Sequence, residues 1–290
     1  MLSGAITALV TPFRGGEVDL PALRKLAGWQ IENGIDGLLA CGCTGEAATL
    51  TDPEREQVVS AVLEEADGRV PVMAGTGTNA TASTVELTSR ISKMGVDAVL
   101  LITPYYNKPT HEGQVRHFTA AADASECPAY LYNVPGRTGK AIEARTVAEL
   151  SDHPNIAGIK DAQGSVERVT ELRALCGEGF DILSGDDPLA MAQAALGAQG
   201  VVSVVSNIAP GEMSRMVSLA SAGELEEARS LQARLLPVIR GMFLQTNPMP
   251  VKKALWMKGM IADELRLPLV PMRSGLEPEL RGILEEAGLL

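Results

Sequence analysis

Short runs of β-branched and aliphatic residues alternate with longer amphipathic stretches from one end of the chain almost to the other. The strand-like runs cover residues 5–10, 37–41, 70–74, 98–103, 129–134, 156–160, 181–184 and 200–205. Between them lie helical patterns such as 53–66 and 80–94. Asp52-Pro53 reads as an N-cap followed by proline at the first helical position, and Asp187-Pro188 repeats the device. Strands separated by helices predict parallel pairing, because a parallel return needs a crossover. Eight such strands predict a closed (β/α)8 TIM barrel, for which a doubly wound open sheet is the alternative.

Past Pro210 the strand pattern stops. Residues 211–222, 224–243, 251–258 and 277–287 read as helices, the first completing the barrel. The expected organisation is a barrel over 1–222 with a helical appendage, 223–290, packed on it. No low-complexity tract or Gly/Ser linker separates the two.

The chain has 290 residues and a formal net charge of −11, with 46% hydrophobic and 21% charged residues. That apolar fraction supports a large core and argues against disorder. The acidity is a poor match for phosphate backbones or anionic lipid, so neither nucleic acid nor a membrane surface is an expected partner. Cys41, Cys43, Cys127 and Cys176 form no C-x-x-C pair and read as reduced thiols. The opening Met1-Leu2-Ser3-Gly4-Ala5-Ile6-Thr7 lacks the basic and apolar regions of a signal peptide, and no apolar run is long enough to span a bilayer. A soluble, cytoplasmic protein is expected.

Several familiar chemistries are excluded. His111 and His117 are six residues apart, whereas a helical zinc pair needs i and i+4, so no metal site is expected. There is no G-x-S-x-G elbow and no Walker lysine. Gly75-Thr76-Gly77-Thr78-Asn79-Ala80 matches G-x-G-x-x-A, but no acidic residue ends the next strand to hold a ribose. Those glycines read as a tight βα turn.

Lys160, in Ile156-Ala157-Gly158-Ile159-Lys160-Asp161, is the strongest oddity, because an ammonium is rarely buried without a partner. It reads either as a strand-end lysine paired with an acid such as Asp161, or as an amine activated by desolvation to attack a carbonyl. Gly158, two residues back on the same strand face, is expected to leave open space beside it. Other strand ends carry Cys43-Thr44-Gly45-Glu46, Tyr105-Tyr106-Asn107, Tyr132 with Arg137, and Gly185-Asp186-Asp187. In a barrel these ends share one rim, where catalytic groups of this architecture sit.

These motifs, spread over essentially the whole length, resemble the dihydrodipicolinate synthase family within the N-acetylneuraminate lyase superfamily. The superfamily elements are Gly42-x-Thr44-Gly45-Glu46, Tyr132 and Lys160. The discriminating ones are Tyr105-Tyr106-Asn107 and Arg137 in Tyr-Asn-Val-Pro-x-Arg-Thr-Gly. The resemblance implies condensation of pyruvate with aspartate-4-semialdehyde on the way to diaminopimelate and lysine. It implies that Lys160 forms an imine with pyruvate, Tyr132 shuttles protons, and Thr44 with neighbouring amides holds the pyruvate carboxylate. Arg137 then receives the semialdehyde carboxylate, and Gly185 and Val202 line the site. Tyr106 reaches into the neighbouring subunit's site across a tight dimer, within a homotetramer. The imine is the electron sink, so no cofactor is implied.

Cys43 departs from the family, which usually carries threonine or serine there to bridge the two tyrosines, and a thiol is a weaker donor and acceptor. A related pyruvate-dependent aldolase or lyase acting on a sugar acid or another 2-oxo acid stays open as an alternative; it would have no need of Arg137. Members inhibited by lysine carry an acidic residue at the position of Ser83 and histidines at those of Asp52 and Arg55, so insensitivity to lysine is expected here.

Overall fold

Eight parallel strands close into a barrel in the computed structural model, which describes residues 2–290. In chain order the strands are β1 (Gly4–Ala8), β2 (Phe13–Arg14), β3 (Glu17–Val18), β4 (Gly37–Ala40), β5 (Val72–Gly75), β6 (Ala98–Ile102), β7 (Ala129–Asn133), β8 (Ile156–Asp161), β9 (Asp181–Ser184) and β10 (Gly200–Ser203). β2 and β3 form a small antiparallel hairpin that the pattern reading did not anticipate. The other eight make the barrel, β1 pairing with both β4 and β10 to close it.

Each expected barrel strand is present, and the shifted ends have physical causes. Residue 71 is a proline with no N–H to give the ladder, and β5 starts at Val72. The first strand stops short because the Val10 amide donates to Asn207 Oδ1, not to a neighbouring strand. β10 stops at Ser203 because the amides of Val204 and Val205 donate to Asp187 Oδ2. Asp187 is therefore not the N-cap expected of it. Asp52 is not one either: it opens the helix Asp52–Ala66, which Thr51 caps in a reciprocal box with Glu54.

Period-two alternation divides the apolar residues into two layers. Ile6, Leu39, Met73, Leu100, Tyr130, Leu183 and Val202 fill the barrel interior. Leu38, Val99, Leu131, Ile159 and Val201 face the surrounding helices. The same alternation turns Lys160 inward with Gly158, and Ile159 and Asp161 outward. After β10 the regular structure is helical, over Pro210–Ser221, Leu225–Gly241, Met249–Met257 and Glu277–Glu286. No helix among the described residues is long and apolar enough to cross a membrane.

Candidate active site

Lys160 is the fifth residue of β8, on the C-terminal rim, and only 5% of its surface is exposed. Its cross-strand partner is Tyr132 of β7, and Nζ lies 4.2 Å from the centre of that ring. The acid-paired reading of Lys160 fails. Asp161 points to the other face, where it accepts from Asn133 Nδ2 at 2.9 Å and Arg168 Nε at 3.3 Å. Burial lowers the Lys160 ammonium to about 8; Cys43, Asp187 and Asp186 oppose the shift, and Arg137 reinforces it. The Tyr132 phenol moves the other way, held well above its ordinary value first by burial and then by Cys43 beside it.

The space beside Lys160 is not open as expected at Gly158. A Cβ there would lie 2.5 Å from the Asp181 carbonyl oxygen and 2.7 Å from Cε1 of Tyr130. Glycine is needed because the Tyr130 ring fills that layer of the barrel, its hydroxyl donating to Asp181. Gly75 and Gly77 meet a similar demand: their Cβ atoms would fall 2.1 Å from Cys41 O and 2.3 Å from Ile102 N. These turns are tight because backbones cross there.

Cys43 and Thr44 stand in the turn after β4. Thr44 is buried, and its Oγ1 accepts from Asn247 Nδ2 at 3.0 Å. Arg137 sits on the short helix Pro135–Thr138 after β7, with Nη2 donating to the Asn247 carbonyl at 2.9 Å. Asn247 thus touches two residues singled out from the sequence, although nothing in the chain's pattern marked it. Cys43, Tyr105, Tyr132, Arg137, Thr138 and Asn247 are among the residues around a cavity of about 280 Å³. Lys160 borders the Tyr132 ring and is not itself on that wall.

Gly185 follows β9, where a Cβ would meet that of Ala162 at 2.6 Å. Val202 of β10 is buried in the barrel interior. Neither Gly185 nor Val202 is on the cavity wall, and nor is Tyr106, which is 89% exposed, with φ at +73°. His111 and His117 go to separate partners, Thr146 with Glu149 and Thr81.

A sequence model of the Dihydrodipicolinate synthetase family matches residues 1–287. The 4-hydroxy-tetrahydrodipicolinate synthases of Geobacter sulfurreducens and Pelobacter propionicus are 49% and 48% identical over 290 residues, covering 100% of both chains in each case. The chloride-inhibited dihydrodipicolinate synthase of Acinetobacter baumannii, solved with pyruvate, superposes with a TM-score of 0.98 at 43% identity, covering 100% of each chain. The Thermotoga maritima enzyme gives 0.97 at 41% identity with the same coverage. With the barrel, the rim lysine and tyrosine, and these full-length matches, the chain belongs to the dihydrodipicolinate synthetase family.

Proposed function

We propose that this chain is a Schiff-base lyase, a 4-hydroxy-tetrahydrodipicolinate synthase, condensing pyruvate with L-aspartate-4-semialdehyde in lysine and diaminopimelate biosynthesis. The observation that carries the reading is the Lys160 amine, buried, without a carboxylate bonded to it, and facing the Tyr132 ring. The neutral amine adds to the pyruvate ketone carbon, and loss of water gives the imine. Loss of a methyl proton gives the enamine, whose carbon attacks the aldehyde. A phenol held protonated beside the amine suits Tyr132 to deliver and recover protons. Cys43, adjacent to Tyr132, belongs to that relay. Thr44 and the amides of its turn receive the pyruvate carboxylate, and Arg137, exposed at the cavity mouth, receives that of the semialdehyde. Gly185 and Val202 complete the site beyond the cavity wall.

The working assembly in this reading is a homotetramer of two tight dimers, in the cytoplasm. The exposed ring of Tyr106 supports it, since that ring is free to complete a neighbouring copy's relay. Residues 223–290 act as an appendage of the 1–222 barrel, a reading supported by Asn247 reaching Thr44.

Borohydride trapping with pyruvate, followed by mass spectrometry, tests the assignment. One pyruvyl unit per chain on Lys160 is expected; an adduct on another lysine, or none, overturns it. Steady-state assay with aspartate semialdehyde against a panel of sugar-acid substrates then separates the synthase from the sugar-acid lyase alternative. Arg137→Ala is expected to weaken semialdehyde use roughly ten- to 150-fold, the worth of a charge-assisted pair, and far more than imine formation. Equal loss in both steps would make Arg137 structural.

A further inference from the structure

Glu46 ends the turn that carries Cys43 and Thr44, in a left-handed conformation with φ at +53° that side chains rarely adopt. It is buried, and both carboxylate oxygens are held by residues from beyond the barrel. Lys252 Nζ donates to Oε1 at 2.6 Å, and the Arg266 amide donates to Oε2 at 3.1 Å. Lys252 is fully buried as well. It donates to the Thr11 carbonyl at 2.9 Å, and its Nζ lies 4.4 Å from the centre of the Phe13 ring. The Thr11 hydroxyl in turn donates to the Gly45 carbonyl at 2.7 Å.

Neither feature is explained by stability. A buried ion pair loses about as much by desolvation as it gains by attraction, and well-packed apolar side chains often do as well. A left-handed glutamate adds backbone strain. What the clamp does fix is the turn itself. The amides of Gly45 and Glu46 close onto the carbonyls of Gly42 and Cys43, at 3.1 Å each. Among the described residues no acceptor takes the amides of Cys43 and Thr44. Thr44 Oγ1 accepts from Asn247, which leaves its own proton free to donate. Two amides and a hydroxyl proton are thus left as unused donors on one immobilised turn, the arrangement that binds an anion without reorganisation.

We propose that Glu46 is a positioning residue: clamped by Lys252 and Arg266, it presets the Cys43–Thr44 donors for the pyruvate carboxylate and makes the C-terminal region part of substrate recognition. The proposal rests on the pyruvate-imine reading of Lys160. The test compares borohydride-trapped imine formation from pyruvate with that from methyl pyruvate, whose carboxylate is masked. The variant is Glu46→Gln with Lys252→Met, which removes both buried charges at similar volume. In the folded double variant the preference for pyruvate over methyl pyruvate is expected to fall about tenfold, the worth of a charge-assisted contact, while methyl pyruvate trapping holds. An unchanged preference, or an equal fall for both ketones, overturns the proposal and leaves the ion pair structural. If the double variant does not fold, Glu46→Gln alone carries the same comparison: its amide oxygen can still accept from Lys252, but its NH2 cannot accept from the Arg266 amide, so the clamp is cut at that end. Failure of that variant to fold as well would assign Glu46 to stability and overturn the proposal. Absence of any adduct in the unaltered protein would instead sink the Schiff-base reading.

Discussion

Lys160 and Tyr132 are in register across β8 and β7, with the amine 4.2 Å from the centre of the phenol ring. Burial acts on the two groups in opposite senses, lowering the ammonium to about 8 and holding the phenol well above its usual value. Near neutral pH the pair is therefore a partly free amine beside a fully protonated phenol, the states needed for nucleophile and proton donor.

The imine-forming rate should follow the free amine. It is expected to rise about tenfold per pH unit below 8 and to level off above it. A plateau extending well below pH 7 in single-turnover trapping would contradict this. The sign for stability is the reverse of a stabilising ion pair. The unfolded lysine keeps its proton up to about 10.5 and the folded one only to about 8, so stability rises with pH between those values. Below 8 the buried ammonium is a full penalty, on the order of 3 kcal/mol. Lys160→Met is expected to abolish trapping and raise the melting temperature at pH 7; an inactive variant that melts lower would contradict it.

Gly158 lies two residues before that lysine on the same face of β8. A methyl there would stand 2.7 Å from Tyr130 Cε1, and Tyr130 is held by its bond to Asp181. Neither the ring nor the Asp181 backbone can yield without moving β9 or the barrel interior. Gly158→Ala is expected to cost about 1–3 kcal/mol, the usual range for overpacking a core. Calorimetry would read this as a melting temperature lower by several degrees. An unchanged melt would mean that the layer has slack.

The barrel was legible because its signal is local and repeated: eight apolar runs, each followed by a helix. The hairpin of β2 and β3 also left a trace, Gly15-Gly16 between short strand-like pairs, but two residues per strand carry no periodicity to read. Lys160, Tyr132 and Arg137 could be found because each is a polar residue ending a strand or beginning the loop after one. Asn247 and the Lys252–Glu46 pair could not. Their partners lie 203 and 206 residues away in the chain, and an asparagine before a proline reads as an ordinary turn. The open space expected at Gly158 failed for a related reason: the ring that fills it, that of Tyr130, belongs to the neighbouring strand β7.

The positions that the family resemblance ties to lysine inhibition carry side chains poorly suited to an ammonium. The residue at the acidic position is Ser83, which is exposed and carries no charge for an ammonium. Arg55 donates from Nη2 to the Ala47 carbonyl at 2.7 Å, and Asp52 is paired with Arg90 at 2.6 Å. Asp52 is thus already neutralised, and Arg55 adds a like charge. Loss of one charge-assisted contact alone weakens an effector by about 1.5–3 kcal/mol. Lysine is expected to leave turnover unchanged at concentrations that strongly inhibit sensitive members. Cooperative, near-complete inhibition at submillimolar lysine in the coupled assay would refute the reading of Ser83 and Arg55.

Cys43 is the departure with the most direct bearing on proton transfer. It is only partly buried, lines the cavity, and lies beside the Tyr132 hydroxyl, whose proton it helps to hold. A thiol makes longer and weaker hydrogen bonds than a hydroxyl, so in the proposed relay, with Cys43 between Tyr132 and a neighbouring copy's Tyr106, it would transmit protons less well. Threonine at this position restores a hydroxyl without adding charge. Cys43→Thr is therefore expected to preserve or raise turnover, with pyruvate still trapped on Lys160. If steady-state turnover instead collapses in a variant that melts normally and still traps pyruvate on Lys160, the thiol has a role of its own after imine formation, and the hydroxyl-bridge account of the relay is wrong for this chain.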